Sequence, residues 1–191
     1  MRAAWIALSM LAAGCLFRDA AEPRFFRPES VALNGPQNAQ PQGAGNPLRL
    51  QPVQGTPLLR ERIVWRASSV EYGLYEQRRW TELPANFVER ALQNALGATP
   101  GIQLTGALAA ATLRVEVLAF DEVLAPTHVA ALSLAVLLED QEQRTLLDRT
   151  FSAEEPITRE VPAAMAMAMG KALDAVVTEV AGAVTVALRP R

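Results

Sequence analysis

Ala130-Ala131-Leu132-Ser133-Leu134-Ala135-Val136-Leu137-Leu138 is the stretch that decides the fold. Its large apolar residues recur with a period of two, the mark of a β-strand whose successive side chains point to opposite faces. Ala130, Leu132, Leu134, Val136 and Leu138 line one face, and Ser133, Ala135 and Leu137 line the other. With no charge on either face, the strand reads as a central one. The polar run Glu139-Asp140-Gln141-Glu142-Gln143 follows as a hairpin turn, and Thr145 to Phe151 return as the next strand. Just upstream, Leu113, Val115 and Val117 alternate with Arg114 and Glu116, which adds a third strand.

Further upstream the pattern changes period. Pro84 opens a helix in which Phe87, Val88, Ala91, Leu92, Ala95 and Leu96 form one apolar face. Thr81 is the expected cap, and Gly97 and Pro100 stop the helix. Before it, Ile63 to Arg66 and Val70 to Tyr75 read as two strands joined at Ala67-Ser68-Ser69, the second running on to Trp80. Leu48, Leu50 and Val53 lie in a short extended piece broken by Pro52. The chain closes with a helix from about Pro162 to Leu188, with Met165, Met169, Leu173, Val176, Val177, Val180 and Val184 on one stripe. Lys171, Asp174 and Glu179 make a membrane-spanning role for it costly. The expected class is α+β, a two-layer sandwich in the order β-β-α-β-β-β-α. Its mixed or antiparallel sheet of about five strands carries two amphipathic helices on one face.

The N-terminus has a different logic. Arg2 precedes an apolar run from Ala3 to Ala13, which ends in Ala12-Ala13-Gly14-Cys15. Charge, apolar stretch and small residues make a secretory signal peptide over residues 1–14. Cys15, the only cysteine, stands where a bacterial lipoprotein carries its lipid. The apolar run is too short for a membrane span of about 20 residues. With Cys15 acylated, no thiol remains for a disulfide. Leu16 follows rather than an aspartate, which favours the periplasmic face of the outer membrane. Residues 15–46 are rich in Pro, Gln, Asn and Gly beyond the cysteine and read as a lipidated, disordered tether. The folded domain is expected over residues 47–191.

The formal charge of −2 becomes −3 once Arg2 leaves with the leader, and both signs are interspersed, which argues against a nucleic-acid surface. His128 is the only histidine and reads as a solvated turn residue. The carboxylate pairs Asp121-Glu122 and Glu154-Glu155 read as solvated charges at strand ends. No Gly-x-Ser-x-Gly elbow, phosphate-cradling glycine loop or zinc spacing occurs, so no catalytic residue, metal or cofactor is expected. Tyr72, Tyr75, Arg78, Arg79 and Trp80 concentrate the residue types enriched at binding hot spots and form the candidate partner interface. The alternative for Trp80 is a plug between the sheet end and the first helix.

Arg62-Ile63-Val64-Trp65-Arg66, Tyr72 to Trp80, Pro84-Ala85-Asn86-Phe87-Val88, Leu113 to Asp121 and Arg149-Thr150-Phe151 follow one another in an order that resembles the ABC-type transport auxiliary lipoproteins. The resemblance implies a non-enzymatic partner of an ABC permease and ATPase and of a mammalian-cell-entry (MCE) domain protein, moving lipid or another hydrophobic solute across the envelope. It carries no catalytic residues, and a homo-oligomer is left open. Two alternatives from other classes are a structural envelope lipoprotein and a small lipoprotein hydrolase with an atypical site.

Overall fold

The computed structural model describes residues 22–35 and 45–189. Its strands are β1 (Arg24–Phe26), β2 (Asn46–Leu50), β3 (Gln54–Gly55), β4 (Arg62–Arg66), β5 (Tyr72–Trp80), β6 (Ile102–Leu104), β7 (Ala111–Val123), β8 (Val129–Glu139) and β9 (Thr145–Pro156). The helices are α1 (Pro84–Gly97) and α2 (Pro162–Ala187), with a 3-10 turn at Ala32–Asn34. The architecture is α+β, with one mixed sheet and two helices. Among the described residues the sheet has nine strands, which corrects the expected five. The additional strands β1, β2, β3 and β6 have two to five residues each, too few for an alternation to register.

β7 is the hub. On one side it pairs antiparallel with β8, which pairs antiparallel with β9. On the other side β2, β3 and β4 lie parallel to it in succession along its length. β5 is antiparallel to β4, and β1 lies parallel against β5. The expected inward face of β8 is the buried one: Ala130, Leu132, Leu134, Val136 and Leu138 are at most 1% exposed. α2 packs on β8 and β9, and α1 packs on β7 and on α2. Phe87 of α1 meets Trp80 edge to face at 6.1 Å and stacks with Phe120 at 6.4 Å, so an aromatic trio closes the junction of helix and sheet. The α1 cap is Leu83 rather than Thr81, with no side-chain cap bond. Pro84 in the first turn lacks an N–H, so one fewer donor needs a partner there. Among the described residues no helix is long and apolar enough to cross a membrane.

The tether reading of residues 15–46 is corrected over residues 22–35, which form a strap on the domain. The Phe26 carbonyl accepts from the Thr81 N–H at 2.9 Å. The Asp174 carboxylate on α2 accepts three bonds from the strap: Ser30 Oγ at 2.6 Å, and the Val31 and Ala32 amides at 2.9 Å each. Asn94 of α1 donates to the Ala32 carbonyl at 2.7 Å, and Leu33 is buried. Gly170 is what lets the strap lie on α2. A Cβ there would stand 1.8 Å from the Glu29 carbonyl oxygen. The expected signal peptide, Cys15 and residues 36–44 lie outside the described residues.

Candidate functional site

The candidate interface residues all fall on β5 or its ends, yet the strand sends them to different places. Between the pairs Arg62/Arg79 and Val64/Leu74 the register with β4 shifts, so β5 bulges through residues 75–78. Tyr72 is exposed at 47%, and the Arg66 guanidinium lies over its ring at 5.9 Å. Gly73 is empty of side chain because the Trp65 indole occupies that space; a Cβ would lie 2.2 Å from the ring. Trp80 is 1% exposed and sits against Phe120 at 5.1 Å, so it is a core plug and leaves the list of interface residues. Arg79 sits beside Arg62 on β4 and Phe25 on β1.

Tyr75 and Arg78 belong to a cluster around Glu122. Glu122 Oε1 is 2.7 Å from His128 Nε2, and Oε2 is 3.3 Å from Arg78 Nη1. The Arg78 guanidinium stacks over the Tyr75 ring at 4.1 Å. Burial, reinforced by the Glu122 charge, pushes the Tyr75 phenol up to about 12. The phenol therefore stays protonated at neutral pH. Asp121, the next residue along β7, points to the opposite sheet face. It faces Arg66 at 3.6 Å and accepts the Phe120 N–H at 2.9 Å. Burial raises its carboxyl above the ordinary range, and the Phe120 amide and Arg66 offset part of that.

Asp121 and Glu122 are thus buried inside a strand, at 3% and 4% exposure, and are not solvated end charges. His128 is likewise a hydrogen-bond partner of Glu122 rather than a free turn residue. Sequence reasoning ended the strand too early, at the pair itself. The missed signal was Val123, an apolar residue beyond the pair that aligns with Val129 across the sheet and packs with it and Ala131 apart from the main core. The arrangement holds two arginine–aromatic stacks rigidly at one end of the sheet, one on each face, each backed by a buried carboxylate. Such a surface offers aromatic area and guanidinium planes for contact. At the other end of β8 an open groove of about 1510 Å³ lies between the β8–β9 turn and the end of α2, with Leu146, Ala183 and Val186 in its lining. Among the described residues no three His, Cys, Asp or Glu side chains cluster as a metal set.

The family model described as ABC-type transport auxiliary lipoprotein component matches residues 32–181. The chain belongs to this family. The match spans β2 to β9, α1 and most of α2, together with the Glu122 cluster, and begins within the strap. Among solved structures the chain is similar to protein XCC0632 from Xanthomonas campestris, of family DUF330. The TM-score is 0.72 at 23% identity, over 86% of this chain and 96% of that one. A crystal structure of an uncharacterized protein gives a TM-score of 0.68 at 15% identity, over 85% of this chain and 99% of that one. These two likenesses speak for the fold. No curated protein matches the chain. The family description is that of a transport-associated auxiliary component and names no enzymatic activity.

Proposed function

We propose that this protein is the lipid-anchored, non-enzymatic auxiliary component of an MCE-type ABC transport system. In this reading Cys15 carries the lipid and holds the chain at the periplasmic face of the outer membrane. The helices cover one face of the sheet as a two-layer sandwich. Tyr72, Tyr75 and Arg78 contact the MCE-domain protein that spans toward the permease and ATPase. The observation that carries the reading is the family match over residues 32–181. What favours the β5 end for contact is the pair of arginine–aromatic stacks, Arg66 on Tyr72 and Arg78 on Tyr75.

Capture of the MCE-domain protein by the full acylated chain tests the reading. Tyr72→Ala removes exposed aromatic area without opening the core, and capture should weaken about thirtyfold, the loss at which a contact counts as a hot spot. Unchanged capture at an unchanged melting temperature would move the contact away from β5. No capture by the wild type would remove the MCE partner.

A further inference from the structure

We infer that Phe25, Arg79 and Arg62 form a docking row for the anionic phospholipid surface in which the chain is anchored. The inference rests on the proposed acylation of Cys15. Phe25 pairs with Arg79, and Arg79 pairs with Arg62, so the three stand abreast across β1, β5 and β4. Directly opposed residues share a sheet face. The neighbouring Trp80 points the other way, into the core. Phe25 is 60% exposed, and Arg62 is exposed beside the partly exposed Arg79. Among the described residues no carboxylate forms an ion pair with Arg62 or Arg79. Glu61 and Glu76, acids close in sequence, pair with neither. Two arginines side by side would repel each other without a counter-charge. Phosphate is a counter-charge that a guanidinium fits well, by paired N–H bonds. The exposed Phe25 ring beside them is an apolar group of the kind that inserts at the headgroup and acyl boundary, next to basic residues that face the headgroups.

The strap makes this geometry effective. Eight residues lie between Cys15 and Arg24, a span of nine backbone steps. At full extension they reach about 30 Å, and any compaction shortens that. Attraction to a charged surface falls off within a Debye length of about 8 Å at physiological salt. A tether running to residue 46 would spend most of its time outside that range. A chain clamped from β1 onward shortens the link to a root-mean-square span of about 16 Å, so the row enters that range more often than with the longer tether.

The test uses the mature, full-length Phe25→Cys chain with an environment-sensitive dye on the new thiol, reconstituted in vesicles. The wild type is treated with the same dye as a control. An unlabelled wild type means that Cys15 is blocked. With that in place, dye emission should rise severalfold on phosphatidylglycerol-containing vesicles over pure phosphatidylcholine ones. The rise should vanish at high salt and in the Arg62→Glu/Arg79→Glu chain, whose melting temperature is checked alongside. The salt arm needs no substitution in the arginines and stands if that double variant misfolds. Equal emission on both vesicle types overturns the docking row while leaving the anchor intact. A silent dye on vesicles that responds only when the transport proteins are added also overturns it and assigns the row to a protein partner. A labelled wild type overturns the anchor and the docking row together.

Discussion

Asp121 and Glu122 are adjacent, equally buried and differently compensated. Glu122 has two partners, Arg78 and His128, at hydrogen-bonding distance. Asp121 has one cation at 3.6 Å and one backbone amide, and its carboxyl is raised by burial. The sign of the consequence follows from proton counting. Between the ordinary carboxylate range and the raised value, the folded chain holds more protons than the unfolded one. Stability therefore falls as pH rises through that window. Above it, the buried charge is a standing cost. Asp121→Asn keeps an acceptor for the Phe120 amide and removes that charge. Thermal melts across pH should show a flatter dependence for the variant in this window and a melting temperature at neutral pH no lower than that of the wild type. A clear loss at neutral pH would mean that the Arg66 pairing outweighs the desolvation.

At the scale of elements, the long and strongly periodic segments were legible and the short or clamped ones were not. β8, the turn after it, α1 and α2 follow from periods of two and 3.6 alone, within a residue or two. Leu134 is fully buried mid-strand, so Leu134→Ala should cost about 2–5 kcal/mol. The exposed Gln93→Ala should stay within roughly 0.5 kcal/mol in the same denaturant titration. The strap escaped because its order comes from outside its own sequence. One acid on α2 and one glycine beside it decide the matter, and neither has a periodicity to read. The β5 residues were picked by type, which cannot separate the core plug Trp80 from the exposed Tyr72; only the bulge does. Gly170→Ala should lift the strap, since its Cβ meets backbone rather than a movable side chain. Hydrogen exchange at the Val31 and Ala32 amides should then lose protection while α2 keeps its own. Retained protection would show that the strap shifts along α2 instead of leaving it.

At the scale of the whole molecule, the proposed anchor at Cys15 and the domain are separate chemical questions. A fatty-acid label should appear on the wild type and not on Cys15→Ser, because only a thiol in that place accepts the lipid; equal labelling would remove the anchor. The sheet itself imposes an order of events. β2, β3 and β4, all within residues 46–66, are joined into one sheet only by β7, which ends at Val123. β7, β8 and β9, by contrast, are consecutive antiparallel strands. Pairings between distant parts of a chain form late, because the loop entropy must be lost before the contacts are gained. A chain threaded through a membrane with its N-terminus leading therefore delivers its first strands without the strand that unites them. If this chain is exported as proposed, it would stay open until most of its length has crossed, and would then assemble from the C-terminal half backward.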